Sequence, residues 1–563
     1  MSLNGALNIG QSAIMASQAA LQVVGNNMAN AATPGYSRQV VHLLPGVSVP
    51  IGRGQFGGTG VMLGHVTRNV DIALQARLRS SVSDQHASLI NQHYLSTMEV
   101  MQGELGSTGL SSELSAFFNS FSELGNTPED GPLRSLVIQR GITLASKIND
   151  LQSGYQSTLR EVDASLEANV EAANGLLDQV AQLNLQITQV EGASGQANGL
   201  RDQRDMILDE LSQFMDISVV ESENGSVDVL VGSIPVVLGQ DNRGIKLEVR
   251  QDGDRRTMSI NVAQDGSSLV VDSGAIGSLL AQRSQTIEPA MEQLDQLASQ
   301  LIWQVNRLHS QGQGLEGLAS VTGSVQVGDP AALIASADSG IEFPIGSGTF
   351  DIQLTDDQTG EVTTYQIQVN PSSMSVQDLV DSINASVDSP QLEVSINADG
   401  SLQFDCTDAT VSFGNDSSGA LAALGVNGFF SGSDAASIGV DQQLIDDPSR
   451  LAAASGFGES ANGMAMQIAG LAESGIPELG GASITDFWLT AAGDLGVRVS
   501  AANAQVESTS IVSQSLYMQR QSVSGVSLDE EAVNLMSFQR QFQAAARYIS
   551  VIDETMQTLL SIT

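Results

Sequence analysis

Both ends of the chain carry an apolar stripe whose members stand alternately three and four residues apart. The first runs Leu3, Leu7, Gly10, Ile14, Ser17, Leu21, Val24, Met28; the second runs Leu535, Phe538, Phe542, Ala545, Ile549, Ile552, Met556, Leu559. Steps averaging 3.5 residues keep side chains on one helix face and form the seam of a coiled coil. A helix with one such stripe is marginal alone and needs a partner to cover it. Two terminal seams on a chain of 563 residues therefore predict that the ends meet each other or meet other subunits. That pattern points to assembly before catalysis.

The distribution of charge supports this. The formal charge is −40, which argues against nucleic-acid backbones and anionic membrane surfaces as partners. None of the 63 acids falls in residues 1–70, whereas residues 308–449 hold 20 acids and no Lys or Arg. The ends are composed for burial in contacts and the middle for solvent. No apolar run reaches membrane-spanning length, so no membrane insertion is expected. The first residues lack the basic, apolar and cleavage segments of a signal peptide. Cys406 is the single cysteine, which excludes an intrachain disulfide and an all-cysteine metal site.

Residues 1–32 read as one helix of roughly 45 Å at ~1.5 Å per residue, stopped by Thr33-Pro34-Gly35. Residues 36–70 alternate and are glycine-rich, as in extended strands or a long hairpin, and helices resume near Asp71. The turn Asn126–Asp130 opens a long helix whose seam runs Leu144, Ile148, Leu151, Tyr155 and onward to Val180. Residues 201–214 form a further helix, where Arg201 and Asp205 stand four apart and within pairing distance, as part of a surface ion-pair network. Asn-Gly and Asp-Gly turns mark hairpins over 217–272, and a helix follows over about 285–309. Residues 318–450 turn Gly-, Ser-, Asp- and Thr-rich, with short alternating stretches around one helix at 375–386. The fold class is thus α+β multidomain: a terminal α-helical coiled coil (1–60 plus 515–563), a long-helix bundle with β-hairpins at about 217–272 (61–317 plus 451–514), and an inserted acidic β-rich domain (318–450).

Catalytic and cofactor signatures fail on context. Gly52-Arg53-Gly54-Gln55-Phe56-Gly57 matches a dinucleotide fingerprint by letter, but no helix follows and no acid lies at the required distance. His86 and His93 share a helix face without a third ligand at suitable spacing, which reads as a polar helix face rather than a metal site. The acidic insert lacks the calcium-loop spacing. No catalytic residues, cofactor or metal are expected.

The stretch from Gly25 to Arg38, and within it Asn26, Asn27, Asn30, Thr33, Pro34, Gly35 and Tyr36, resembles the N-terminal signature of bacterial flagellar axial proteins. Gly58–Val61 and Val66–Arg68 are similar to the segment that follows it. Within that group the chain most resembles the hook-associated protein 1 (FlgK) family of hook–filament junction proteins. The resemblance rests on Phe117–Leu124 with Asn126, Pro128 and Arg134; on Leu200–Asp205 with Leu211; on Leu294–Ala298 through Asn306 to His309; and on Ser524–Leu535 with Gln539–Tyr548. It covers roughly 1–315 and 450–563, and the β insert matches only loosely.

The resemblance implies a structural, non-enzymatic protein of the flagellum. Its subunits would leave the cell through the flagellar type III channel without a cleaved signal peptide. They would form a ring of identical subunits at the hook tip, joining the hook protein to the second hook–filament junction protein. The terminal helices would form the inner tube with seam faces packed between subunits, the helical domain the next layer, and the insert the outer one. An export chaperone of the FlgN type would cover the C-terminal seam. Other readings are another axial component, a hook protein or the second junction protein, or a secreted adhesin acting through its β domain.

Overall fold

The computed structural model of the protein describes all residues except 1, 2, 53, 54, 105, 107, 254, 388, 459 and 563. Helix α1 (Leu3–Ala29) is followed by strands β1 (Gln39–Pro45), β2 (Val49–Gly52), β3 (Gln55–Gly57) and β4 (Val61–Arg68). Helices α2 (Ile72–Gln102), α3 (Leu110–Asn126), α4 (Gly131–Ser194) and α5 (Asn198–Leu211) come next. The starts of α2 and α4 are set by side-chain caps, because Asp71 Oδ1 accepts the Leu74 N–H at 3.0 Å and Asp130 Oδ1 accepts that of Leu133 at 3.2 Å. Strands β5 (Ile217–Glu221), β6 (Val227–Val231), β7 (Ile234–Leu238) and β8 (Asp241–Asn242) form one antiparallel sheet in sequence order. Strands β9 (Ile245–Asp252), β10 (Arg255–Val262) and β11 (Ser268–Leu269) form another.

Helix α6 (Gly274–Gln282) passes through a wider π-turn at Arg283–Ile287 into α7 (Glu288–His309). The helix expected from about 285 thus begins as a second segment, with Pro289 in its first turn, where its missing N–H costs nothing. The chain divides into two compact units: residues 1–93, 162–282 and 502–563, and residues 94–161 and 283–501. These follow different lines from the three-part division expected from composition, because α2, α4 and the helix Ile484–Ser524 each contribute to both units.

In the first unit, the seam of α4 is buried at Val162, Leu166, Val170, Ala173, Leu177 and Val180. Two asparagines on the same helix act as substitute strand partners. Asn184 donates to Val227 O at 2.8 Å and accepts from Val227 N at 3.1 Å; Asn174 does the same with Ile245 at 2.8 and 2.9 Å. Each sheet is fixed to the helix by a paired amide in a site where an unmatched backbone group would be costly.

The second unit holds the insert. Strands β12 (Ser320–Thr322), β13 (Gly348–Asp356) and β14 (Val362–Val369) precede α8 (Val376–Val387), and β15 (Leu392–Ile396), β16 (Leu402–Cys406) and β17 (Ala409–Gly414) follow it. They pair as β12–β16–β15 and β14–β13–β17. One apolar core joins both sheets and the helix through Phe350, Ile352, Ile383, Val394, Phe404 and Phe413. It extends as far as Val426. Beyond it come α9 (Ala420–Ala423), β18 (Phe430–Ser431), β19 (Gly439–Val440), α10 (Gln442–Asp446) and α11 (Gly463–Gly470), then the long helices α12 (Ile484–Ser524) and α13 (Leu528–Ile562).

Residues 427–452 return the chain from the insert and are held by three buried polar side chains. Asn306 accepts the N–H groups of Phe429 and Phe430 at 2.8 and 2.9 Å and donates to Phe430 O at 2.7 Å. Arg134 donates to Pro128 O at 2.9 Å and Leu451 O at 2.5 Å. His309 Nδ1 lies 2.9 Å from Asn427 O, and its Nε2 accepts the Ala452 N–H at 2.9 Å. Around them Phe117, Phe121, Phe429 and Phe430 meet edge to face. Burial pushes the His309 imidazole down to about 4, with Arg134 adding to the effect.

Because its folded pKa lies below the unfolded value near 6.5, His309 is neutral in both states above that pH. As pH falls through 6.5 toward 4, only the unfolded chain takes up the proton, so stability is lost across that window. The total is about 3 kcal/mol by linkage. Urea unfolding of the second unit at pH 7 and pH 4.5 should show this loss, and His309→Gln should flatten the slope. A slope unchanged by that substitution would assign the acid sensitivity to other groups.

Candidate assembly site at the paired chain ends

Helices α1 and α13 lie against each other within the one chain, antiparallel. Two contacts fix the register. A Cβ on Gly10 would stand 2.5 Å from Ile549 Cγ1, and Asn27 Nδ2 donates to Glu531 Oε2 at 3.1 Å. This register sets small against large: Gly10 opposite Ile549, Ser17 opposite Phe542, Ala545 opposite Ile14. Close approach of the backbones explains why Gly10 and Ser17 occupy seam positions. On α1, Gly10, Ser17 and Val24 are buried and Leu3, Leu7, Ile14, Leu21 and Met28 are half-buried. The opposite face, from Asn4 and Asn8 through Gln11, Met15, Gln18 and Gln22, is exposed.

On α13, Ala545 and Ile552 are buried and Leu535, Phe538, Phe542, Ile549 and Met556 half-buried. Leu559 is exposed. In the antiparallel register its counterpart would fall beyond the first residue of α1. The seams expected to face neighbouring subunits are thus used inside the subunit. The β1–β4 ribbon covers another side of α1, where Val61 N donates to Ser12 Oγ at 3.3 Å.

The N-terminal motif closes this pair. Asn30 Nδ2 donates to Asn26 O at 3.0 Å, and Thr33 Oγ1 to Asn30 Oδ1 at 3.2 Å, which ends α1 in a tight turn. Pro34 is exposed, and Gly35 takes the left-handed region at φ 76°. A Cβ there would meet Met206 Sδ at 2.2 Å, so glycine serves both the turn and the close approach. Asn27 Oδ1 accepts the Tyr36 hydroxyl at 2.8 Å and the Gln39 N–H at 3.0 Å. Asn26 Nδ2 donates to the same phenol oxygen at 3.2 Å. Burial, with Asp202 and Glu531 nearby, pushes the Tyr36 phenol up to about 12, so it stays a donor.

Glu531, in the first turn of α13, is the other half of the closure and is 1 % exposed. Besides Asn27 it accepts from Arg38, at 2.9 Å from both Nε and a terminal nitrogen, while Arg38 also reaches Glu530 at 2.9 Å. The backbone joins in: Arg38 N donates to Ser524 O at 2.9 Å. Residues 27–39 and 524–531 therefore form one clamp across 504 positions of sequence.

Helix α5 lies beneath the turn, and here the expected pairing is corrected. Arg201 binds Glu191 at 2.7 Å and Glu221 at 2.5 Å, not Asp205. Asp205 binds Arg68 at 2.6 Å and Arg79 at 3.1 Å, and Asp202 takes Arg68 at 3.0 Å and the Ser37 N–H at 3.3 Å. Arg520 on α12 completes the set at Asp209. Burial works against the Asp205 carboxylate, but Arg68 and Arg79 outweigh it and hold its pKa below the usual range. The network is buried rather than superficial, because Asp202 and Arg79 each lose their solvent to packing elements. The expectation of a surface network used local spacing, and the true partners come from β4, α2 and α12.

Sequence reasoning gave no role to Arg38, Glu531 or Asn184. The one available signal for Arg38 was its place as the first charge of an acid-free region; the acids 529–531 read only as a favourable helix start. Gly52 and 55–57 of the glycine-rich stretch lie in the β2–β3 hairpin, and residues 53 and 54 fall outside the described residues. His86 and His93 sit on α2. Among the described residues no helix is long and apolar enough to cross a membrane.

Three family models match the chain. The flagellar hook-associated protein FlgK helical domain matches residues 95–323, the flagella basal body rod protein matches 7–36, and the C-terminal region of the basal body rod FlgEFG proteins matches 519–562. Similarity extends over full length: flagellar hook-associated protein 1 is 24 % identical in Salmonella typhimurium and 25 % in Escherichia coli, over the whole of both chains. The Bacillus subtilis protein is 27 % identical over 99 % of this chain and 97 % of its own.

The chain is thus similar, over its whole length, to flagellar hook-associated protein 1.

The two rod-type matches fall on the clamp's two halves. A solved structure of the flagellar hook junction protein FlgK from Burkholderia pseudomallei aligns with a TM-score of 0.48 at 19 % identity, over 80 % of this chain and all of that one.

Proposed function

We propose that this protein is a structural subunit of the bacterial flagellum that forms the junction between hook and filament and lets the filament grow. The observation that carries the reading is the terminal pair itself. Its seam is already satisfied within the chain, and apolar residues remain on the outer side: Val533, Met536, Tyr548 and Val551 of α13 and Met15 of α1 are exposed. In this reading the seam residues build the pair, and the outer stripe packs against neighbouring copies in a ring. The acid-free first 70 residues fit a crowded contact layer, the inner wall of a tube. The acidic insert faces solvent. The three-part division of the chain serves these roles as inner layer (1–60 plus 515–563), helical layer (61–317 plus 451–514) and solvent-facing insert (318–450).

The subunit is exported through the flagellar type III apparatus and works outside the cell. Its partners are other copies of itself, the hook protein, the second junction protein and, before export, a chaperone of the FlgN type on the C-terminal helix. Deleting the gene and imaging the cells by electron microscopy tests the reading. Hooks should be intact, filaments absent and flagellin lost to the medium. Normal filaments on the deletion strain would end it.

A further inference from the structure

A ring of identical copies needs two different faces on each copy. Copies related by a rotation other than a two-fold meet heterologously, so the stripe that one offers is received by another surface of the next. The outer stripe of α13 is one such face. Val533, Ser537, Arg540, Ala544, Arg547 and Val551 follow in steps of four and three, and all are exposed. Residues 532–552 hold those two arginines and no acid.

The last turns of α12 carry a second face. Ala502, Val506, Thr509, Ser513, Leu516 and Arg520 also step by four and three. Ala502, Thr509 and Ser513 are buried, the other three are half-buried, and Arg520 reaches Asp209. This inner seam packs against the subunit's own elements. Ala504, Ser508, Ile511, Ser515, Met518 and Ser522 repeat the same steps, and every one is exposed. Each stands two residues past a member of the inner seam, roughly 200° around the helix at 3.6 residues per turn. The two seams therefore lie on opposite sides of α12, and a helix built this way has a packing partner on each. The subunit supplies one of them. Ile511 and Met518 are 61 % and 65 % exposed. Of the twelve exposed residues between 502 and 519, only Glu507 is charged. Surface that faces solvent carries a charge at roughly one position in four, and depletion of charge marks the centre of an interface.

We infer that the outer seam of α12 receives the outer stripe of α13 from a second copy of the chain, antiparallel. The inference rests on the ring proposed above and names the surface that accepts its stripe. Both repeats average 3.5 residues, so the two helices stay in step along their contact. One register sets small against large in every layer: Ala504 with Val551, Ser508 with Arg547, Ile511 with Ala544, Ser515 with Arg540, Met518 with Ser537 and Ser522 with Val533. It also brings the Arg547 guanidinium beside Glu507, and neither has an ion-pair partner among the described residues of its own copy. Because the two faces differ, the contact passes from copy to copy and closes as a ring.

A photo-crosslinking amino acid in place of Gln519, exposed beside the outer seam, tests this in flagellated cells. Ultraviolet light should join two copies of the chain, with the adduct on residues 533–540. The same amino acid in place of exposed Gln543 should give the reciprocal adduct, on residues 508–515. Ile511→Asp should cut both yields at least roughly tenfold. Its melting profile should be unchanged, since Ile511 is exposed in its own copy. Arg547→Glu should lower the yields roughly threefold, and adding Glu507→Arg should restore them. Failure of both adducts, adducts with a different protein or outside these segments, yields insensitive to Ile511→Asp, or no rescue by the charge swap overturns the inference. If the unsubstituted chain is present in flagella and the adducts fail, the junction reading stands. If that chain is absent from flagella, the junction reading falls as well.

Discussion

Glu531→Ala is expected to loosen the terminal helix pair by about 3 kcal/mol, the scale for removing one partner of a buried ion pair. The loss has three parts: the Arg38 guanidinium keeps only solvent-exposed Glu530, Asn27 Nδ2 loses one of two acceptors and keeps Gln39 O at 2.9 Å, and the turn at residues 30–38 loses its buried tie to the start of α13. Glu531→Gln should cost less, because an amide oxygen can still accept from Asn27 or Arg38 without the charge. Hydrogen exchange reads the effect directly. Amides of α1 and α13 should lose protection together while the α4 seam and the insert keep theirs. Protection in α1 and α13 equal to the unsubstituted chain would show that the clamp contributes nothing to holding the ends.

Phe542→Asp acts on the seam instead of its closure. Phe542 is half-buried opposite Ser17 in the α1–α13 register. The substitution removes roughly 2 kcal/mol of apolar burial and adds the cost of a carboxylate facing an apolar stripe. We expect the terminal pair to open, the rest of the chain to remain folded, and cells carrying the variant to lack filaments as the deletion strain does. Limited proteolysis should remove both ends and leave a resistant middle. Filaments at normal number and length would show that the seam has no part in assembly.

The two substitutions separate roles that a single phenotype would merge. Glu531 belongs to the clamp that links the signature motif to the C-terminal helix, while Phe542 belongs to the stripe that lets the helices pair. Because the seam is satisfied within the subunit, both predict a folding defect at the ends first and an assembly defect as its consequence. A substitution on the outer stripe acts in the opposite order.

Several features were legible in the amino-acid order because their physics is local. A 3.5-residue repeat needs no tertiary context to define a helix face, and seam positions from Leu3 to Met556 are covered. Asp71 and Asp130 announce helix starts through caps reached within three residues. The Asn-Gly and Asp-Gly turns marked the hairpins of 217–272, and the change of composition at 318 marked a segment with its own apolar core. The quoted stretches around Phe117, Asn306 and His309 proved to be one structural device, the seat for the chain returning from the insert. Their common purpose was hidden, since α3, α7 and residues 427–452 meet only in the fold.

What the sequence alone determined was which faces must be covered: two terminal stripes, a long seam in α4 and an acid-free opening region. Periodicity and charge are properties of neighbours along the chain, and so they survive without coordinates. Only the tertiary structure decided what covers them. It paired the two seams with each other, joined Asn27 and Arg38 to Glu531, and sent Asp205 to Arg68 and Arg79 instead of Arg201. Each of these is a choice among many chemically equivalent partners, and it is settled by which backbone elements the packed core brings within about 3 Å.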